Sequence, residues 1–139
     1  MAEPFLTEGD KWDVLCHNSM LNSRRRRCRS VVERYQIQEK NPNILTEIHT
    51  VKIGNIAFAT NGFELFMDYM HRIQARSPFE QTFVVQLVTN PHGSESYLAT
   101  ERSEKNKGYS ASPYCNQVSP EGGQQLVEET LKMLENLKK

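Results

Sequence analysis

The sequence predicts a small α/β domain in which helices pack on a mixed β-sheet. Two β-rich segments flank a turn at Gly54-Asn55, residues 82–88 form an apolar run of strand length, and residues 63–73 and 126–137 carry apolar side chains at helical spacing. Strands alternating with helices are typical of α/β folds. A chain of 139 residues fits a single domain of this kind.

The N-terminal part is predicted to be an arm followed by a helix. Residues 1–22 show no sustained hydrophobic period, which predicts a poorly ordered N-terminal arm, with the folded domain at 23–139. Asn22 or Ser23 is a suitable helix cap, and apolar side chains follow at helical spacing. This helix is expected to end before Pro42.

A β-hairpin is expected next. Residues 45–53 alternate in character and carry β-branched side chains on both faces, which favours a strand. Gly54-Asn55 is a two-residue turn signal, and residues 56–60 are again strand-like. The two strands are therefore predicted to pair antiparallel.

A helix and a further strand follow the hairpin. Asn61-Gly62 is predicted to switch the chain from strand to helix, and the helix should end near Pro78. Its apolar stripe is expected to pack on the sheet, and consists of Phe63, Phe66, Met67, Met70 and Ile73. The nearly continuous apolar run at residues 82–88 is expected of a strand covered on both faces.

The last third of the chain is predicted to be a long loop and a closing helix. Residues 89–118 are rich in Gly, Ser, Asn, Pro and Tyr, and loops of this length are often functional. Ser119, Pro120 and Glu121 then read as the cap, the first-turn proline and the first-turn acid of the closing helix.

The charge balance argues against a polyanionic partner. Seventeen basic and seventeen acidic residues give a formal net charge of zero, so no nucleic-acid binding is expected. Arg24–Arg27 and Arg29 can contact phosphates, or they can form a solvated helix start. Zero net charge and the lack of an aromatic pattern around them favour the solvated start.

Neither a membrane span nor an export signal is predicted. No apolar run approaches the roughly 18–20 residues that cross a bilayer, and the N-terminus lacks both a basic start and an apolar stretch. Cys16, Cys28 and Cys115 cannot all pair within one chain and show no CxxC spacing. Reduced thiols and a cytoplasmic location are therefore expected.

Two residues stand out as chemical candidates. Glu64 is expected in the first helical turn after a strand, where its carboxylate can either ligate a metal or complement the helix N-terminus. Tyr97 is expected in a loop just past a strand end, where its phenol can reach the same end of the sheet. It can act at a metal or an oxyanion, or it can simply anchor the loop. Tyr109 has a similar but less specific setting.

Five segments together resemble the C-terminal part of the neutral/alkaline ceramidase-like family. They are residues 53–66, 75–82, 97–102, 108–110 and 122–123. The resemblance extends over roughly residues 29–137 and lies in the order of the segments rather than in any single motif. It implies an α/β fold that is a fragment-like portion of a larger hydrolase domain.

The resemblance also implies a metal site. In that family a zinc ion activates water to hydrolyse an amide, and its ligands are two histidines, a glutamate and a tyrosine. Glu64 resembles the glutamate ligand and Tyr97 the tyrosine ligand. Apart from the resemblance, Tyr109 and His92 are candidate contributors from the loop, and His17 is, like His92, a candidate substitute for a histidine ligand. The family's histidine ligands have no counterpart here, because the four histidines of this chain form neither an HxH nor an HExxH motif.

Two functional hypotheses follow from the resemblance. The chain is either part of a zinc-dependent amidase acting on an amide-linked lipid, with the histidines supplied by a complementary N-terminal chain, or a non-catalytic interaction module. Because the family's larger domain is only partly represented, apolar surface is expected to be exposed. A homo-oligomer or a pairing with the complementary chain is therefore predicted.

Overall fold

Helices and a small mixed sheet make up the part of the chain that the structure describes, residues 3–88 and 96–139 of a computed structural model. The chain divides into two units, Met1–Pro42 and Asn43–Lys139. The second unit contains every strand seen in the described residues. The predicted α/β class is confirmed.

The first unit is built on one long helix, α1 (Lys11–Ile37). The Asp10 carboxylate accepts hydrogen bonds from two backbone N–H groups of the first turn, which is the role of an N-cap. The predicted helix start at Asn22 or Ser23 is therefore wrong, because an earlier cap is available and neither Gly nor Pro interrupts the helix. The predicted arm, residues 1–22, includes the first turns of α1.

The segment before α1 lies along this helix. The Leu6 backbone and the Asn18 amide exchange two hydrogen bonds, each of 2.8 Å. The Arg25 guanidinium lies 4.5 Å from the centre of the Phe5 ring. Part of the arginine run is thus engaged inside the first unit, and the run lies in the middle of α1 rather than at the helix start that the sequence predicts.

The second unit has a three-stranded sheet in the order β1 (His49–Ile53), β2 (Ile56–Thr60), β4 (Gln81–Val85). The first two strands are antiparallel, and β4 is parallel to β2. Gly54 occupies the turn with φ of +61°, a conformation that glycine adopts without strain. The predicted hairpin is confirmed, although its first strand begins at His49 rather than at Leu45.

Two helices cover one face of this sheet. α2 (Met67–Arg76) contacts β4, α4 (Pro120–Lys138) contacts β1, and the helices contact each other. Because side chains alternate along a strand, Ala57 and Ala59 point into this layer and are buried. The predicted closing helix is confirmed, with Ser119 as its cap and Pro120 in its first turn. The core consists of Ala57, Phe63, Tyr69, Ile73, Phe79, Leu98, Leu126, Val127, Leu131 and Leu134.

The opposite face of the sheet is open and carries a group of exposed apolar side chains. The Phe58 and Phe83 rings stack at a centroid distance of 5.0 Å. Val51, Ile53, Phe83 and Val85 are between 40% and 60% exposed. The prediction that the third strand is covered on both faces is therefore wrong, because α2 and α4 lie on one side only. We call Val51, Ile53, Phe58, Phe83 and Val85 the open sheet face.

Two short parallel strands, β3 (Glu64–Leu65) and β5 (Tyr97–Leu98), form a second sheet. The helix predicted from Phe63 begins at Met67, because pairing with β5 keeps β3 extended. In its predicted stripe, Phe63 and Ile73 are buried, whereas Met67 is 63% exposed.

The predicted long loop is more ordered than its composition indicates. Its described part, residues 96–118, contains β5, the short helix α3 (Glu101–Lys105) and a 3₁₀ turn (Tyr109–Ala111). Thr100 begins α3 with a capping box, in which the side chains of Thr100 and Ser103 each accept a backbone N–H of the other residue.

Candidate functional site

The two candidate residues face each other across the small sheet. Glu64 and Tyr97 are direct partners in the parallel pairing of β3 with β5. The Glu64 N–H donates to the Ser96 carbonyl at 3.2 Å, which fixes the register. The structure thus brings together the two residues that the resemblance groups at one metal.

The core determines the direction in which both side chains point. Leu98 follows Tyr97 and is fully buried, while Leu65 follows Glu64 and packs against the same core. Alternation along a strand then turns Glu64 and Tyr97 to the opposite side, where each is half-buried. Both expected settings are wrong in detail, since Glu64 is on a strand rather than in a helical turn, and Tyr97 is within a strand rather than past its end.

The Tyr97 phenol interacts with the Glu64 carboxylate. Hydrogen bonding to Glu64, followed by the negative charge of that carboxylate, raises the pKa of the Tyr97 phenol. Ionising Tyr97 would remove the proton shared with Glu64 and place two negative charges side by side. A hydrogen bond from Ser110 acts in the opposite direction and partly lowers the pKa of Tyr97. The phenol therefore stays protonated, as a hydrogen-bond donor, well above neutral pH.

Two further tyrosines extend the site. The Tyr109 ring meets Tyr97 edge to face, with centroids 6.3 Å apart and planes at 79°. Tyr114 meets Tyr109 in the same manner, at 6.0 Å and 65°. Tyr109, predicted as a loop contributor, thus belongs to the cluster. We call Glu64, Tyr97, Tyr109, Ser110 and Tyr114 the tyrosine cluster.

Backbone contacts hold this loop against β5. The Tyr97 N–H donates to the Cys115 carbonyl at 3.0 Å, and Tyr97 forms an isolated parallel bridge with Asn116. The Cys115 N–H in turn donates to the Ser112 carbonyl at 2.9 Å. Residues 109–116 are therefore fixed beside Tyr97 by main-chain bonds, which do not depend on the identity of the tyrosines.

Sequence reasoning missed Ser110 and Tyr114. Ser110 follows Tyr109 within the 3₁₀ turn, and Tyr114 follows after three residues. The concentration of aromatic residues in an otherwise polar loop could have indicated that these residues belong to a site. It could not have shown which residues they contact, because the contacts depend on the pairing of β5 with residues far along the chain.

The described histidines lie outside the tyrosine cluster. His17 belongs to the first unit and lies 3.4 Å from the Pro4 carbonyl oxygen. His49 lies 3.3 Å from the Glu47 carboxylate, and His71 is exposed on α2. His92, predicted as a loop contributor, falls outside the described residues. His49 thus lies on a strand and His71 on a helix surface, as their surrounding sequence predicts.

The tyrosine cluster offers a metal ion two oxygen ligands. Within residues 3–88 and 96–139, no group of three or more His, Cys, Asp or Glu side chains is placed to hold a metal. Catalytic zinc sites use three protein ligands and retain one open position. Glu64 and Tyr97 are thus chemically suited to one part of such a site, and these residues alone do not complete it.

Comparison with known proteins finds no matching family model, no matching curated protein and no matching solved structure. Among the helices that the structure describes, none combines the length and apolar character needed to cross a membrane.

Proposed function

We propose that this chain supplies the carboxylate and phenol ligands of a zinc-dependent amide hydrolase and that a second chain supplies the histidines. The observation that supports the proposal is the direct pairing of Glu64 with Tyr97. The two residues are more than thirty positions apart in sequence, and the resemblance assigns both to one metal. An amide-linked lipid is the substrate class that the resemblance implies.

The chemistry of the pair is compatible with this role. When bound, zinc would supply a Lewis acid for the amide oxygen and would lower the pKa of a bound water. Glu64 contributes a carboxylate oxygen, and Tyr97 contributes a phenol whose pKa Glu64 raises above the ordinary 10.0, so that the phenol keeps its proton further into the alkaline range. A protonated phenol at this position can donate a hydrogen bond to a developing oxyanion.

Zinc uptake tests the proposal. Purified chain is incubated with zinc, with and without imidazole in place of the absent histidine ligands, and bound zinc is measured by elemental analysis after gel filtration. Imidazole should raise zinc retention by the parent, because it completes the ligand set. The increase should be lost in Glu64→Ala and strongly reduced in Tyr97→Phe.

Two matched variants serve as controls. Glu129→Ala removes an exposed carboxylate of α4, and Tyr35→Phe removes an exposed phenol oxygen of α1. Both should retain zinc as the parent does. Equal zinc retention by the parent and Glu64→Ala, with or without imidazole, would refute the proposal.

A second candidate function is a non-catalytic module that self-associates, and the open sheet face favours it. Its five side chains, Val51, Ile53, Phe58, Phe83 and Val85, are all apolar, and four of them are at least 40% exposed. Contiguous apolar surface of this kind commonly marks an interaction site. Because these five side chains carry no charge, a second copy of the same face is a compatible partner.

Sedimentation velocity tests this candidate over a wide concentration range. The parent should shift toward dimer as concentration rises, and Val51→Glu with Phe83→Glu should abolish the shift by placing charge on the face. Lys132→Glu, on the exposed side of α4, is the control for the change in charge. A parent that sediments as monomer at every concentration would rule out this candidate.

A further inference from the structure

Residues 3–6 belong to no helix or strand and lie against α1 within the first unit. Leu6 contacts Asn18, and Glu3 contacts Arg24. The two contact points on α1 are six positions apart, which is about 9 Å along a helix. Three residues of extended chain cover about the same length. The segment therefore runs along α1 as an extended peptide, in the direction opposite to the helix.

Two side chains of α1 contact the backbone of this segment. The Asn18 amide accepts the Leu6 N–H and donates to the Leu6 carbonyl, each at 2.8 Å. The Arg25 guanidinium donates to the Glu3 carbonyl. Because nearly every residue presents the same backbone donor and acceptor, these bonds hold an extended peptide whatever its side chains are.

Other contacts depend on the side chains of the segment. The Glu3 carboxylate lies 3.5 Å from the Arg24 guanidinium and 3.9 Å from the His17 ring nitrogen. The Arg25 guanidinium lies over the Phe5 ring, 4.5 Å from its centre. An acidic residue followed two positions later by an aromatic residue is thus favoured here. We call His17, Asn18, Arg24 and Arg25 the contact face of α1.

The segment is held loosely enough to exchange. Phe5 and Leu6 are 45% and 42% exposed, so little apolar area is buried. Exposed ion pairs contribute at most about 1 kcal/mol. Gly9 lies between the segment and the helix with φ of +126°, and glycine changes conformation at low cost. Asp10 caps α1 through its own side chain, so the helix start does not need the segment.

We propose that the contact face of α1 binds an extended segment of a partner protein in which an aromatic residue follows an acidic residue by two positions. Residues 3–6 occupy the face until the partner displaces them. A second copy of the chain is a poorer partner, because exchange between copies replaces each set of contacts with an identical set. The inference goes beyond the proposed function, since the contact face lies in the first unit and shares no residue with Glu64 or Tyr97.

Peptide binding to the full-length chain tests the inference. The probe is an acetylated synthetic peptide with the sequence of residues 3–8, added to the isotope-labelled parent or to a segment variant that carries Glu3→Ala and Phe5→Ala. NMR should show saturable shifts of the Arg25 side chain in the segment variant, with a Kd on the order of 0.1–1 mM. The parent should bind about tenfold more weakly, because its own segment competes at an effective concentration in the millimolar range.

Further substitutions in the segment variant identify the face. Asn18→Ala should weaken peptide binding at least about tenfold, because two hydrogen bonds to the peptide backbone are lost. Asn22→Ala, at an exposed asparagine one turn further along α1, should leave binding unchanged. Alanine favours a helix, and circular dichroism verifies that α1 is retained. A peptide with lysine in place of its first glutamate should bind more weakly, since it meets Arg24 and Arg25.

Three results would overturn the inference. The first is a segment variant without saturable shifts, and the second is equal binding by the Asn18→Ala and Asn22→Ala proteins. The third is a parent dimer that becomes monomeric in the segment variant while the peptide fails to bind, which would assign the face to a second copy. Association through the open sheet face would not respond to Phe5→Ala, so sedimentation of the segment variant distinguishes the two kinds of dimer.

Discussion

The two sheets of the second unit are stabilised in different ways. In the three-stranded sheet, five-residue strands pair along their whole length, and two helices cover one face. In the two-stranded sheet, each strand has only two residues. An isolated pair this short has no stability of its own in water. Its geometry is therefore imposed by its surroundings.

Specific neighbours impose that geometry. Leu98 is fully buried in the core below β5. The Leu65 N–H donates to the Gln86 side chain at 2.7 Å, and the Leu87 N–H donates to the Phe63 carbonyl at 3.2 Å. The tyrosine cluster thus depends on the core and on the chain that leaves β4. The comparison teaches that the larger sheet provides stability and the smaller one positions the candidate chemistry.

The largest effect on stability is expected in the core that supports both sheets, at Gly123 on α4. A Cβ atom at Gly123 would overlap the phenol oxygen and ring of Tyr69. Tyr69 cannot easily move, because its hydroxyl donates to the Ala99 carbonyl at 2.8 Å. Gly123→Ala should therefore lower the free energy of unfolding by about 2 kcal/mol, even after a helix-propensity gain of about 1 kcal/mol. Urea denaturation measures the change.

Gly108→Ala is the matched control, because a Cβ atom at Gly108 meets no atom within 4 Å. It should change the free energy of unfolding by less than about 0.5 kcal/mol. Equal stability of Gly123→Ala and the parent would show that α4 does not pack on Tyr69 as described.

A smaller effect on stability is expected at Leu87, which follows β4 and contacts the segment before β3. Leu87 has φ of +59°, a left-handed conformation that costs a residue with a Cβ roughly 1–2 kcal/mol. The side chain is 60% exposed, so its removal loses little burial. Leu87→Gly should raise the free energy of unfolding by about 0.5–1 kcal/mol after the added freedom of the unfolded chain is included.

Leu45→Gly provides the comparison for this measurement. Leu45 is similarly exposed, at 67%, and has no positive φ. The same substitution there should lower the free energy of unfolding slightly, because only the unfolded chain gains freedom. A loss of stability in both variants would mean that the Leu87 backbone carries no strain.

Sequence reasoning succeeded where the signals were local. The turn at Gly54, the strand-like residues 56–60, and the Ser119-Pro120 start of α4 lie within a few residues of the elements that they specify. The structure confirms each of them. The start of α1 was predicted wrongly, because Asp10, Asn22 and Ser23 are all residue types that can cap a helix.

The small sheet could not be predicted from such signals. Residues 64–65 are extended because they pair with residues 97–98, and nothing in the local sequence of Glu64 encodes that partner. The sequence predicts Glu64 and Tyr97 at the same end of a sheet, and the family resemblance groups them at one metal, but neither argument predicts that they pair as neighbouring strands. Contacts with Ser110 and Tyr114 required the coordinates, because a 3₁₀ turn and a single bridge determine them.

The smallest expected effect concerns the two helices that cover the larger sheet. Arg76 on α2 makes two hydrogen bonds, of 2.6 and 2.7 Å, to Glu128 on α4. These bonds lower the pKa of Glu128 to about 2, from an ordinary value of 4.5. A carboxyl whose pKa is lower in the folded state stabilises the protein above its unfolded pKa. This contribution should disappear as pH falls from about 4.5 to 2.

Denaturation at a series of pH values tests this prediction. Glu128→Gln should show a weaker loss of stability over that window than the parent does. The difference should be small, since both side chains are about half exposed to solvent. Glu129→Gln, at a neighbouring exposed carboxyl, should keep the parent's pH dependence. Identical pH profiles for the parent and Glu128→Gln would mean that the ion pair is not formed in solution.

The adjacency of Glu64 and Tyr97 is the central claim, and the ionisation of Tyr97 tests it most directly. NMR of the chain labelled at tyrosine Cζ would follow each phenol with pH, with Tyr97→Phe assigning the signal. Tyr97 should titrate above the ordinary tyrosine pKa of 10.0 in the parent and shift downward in Glu64→Gln. Tyr69, whose pKa burial raises to about 12, should titrate unchanged in both proteins. A Tyr97 titration that is identical in the parent and Glu64→Gln would contradict the pairing and the functional proposal that rests on it.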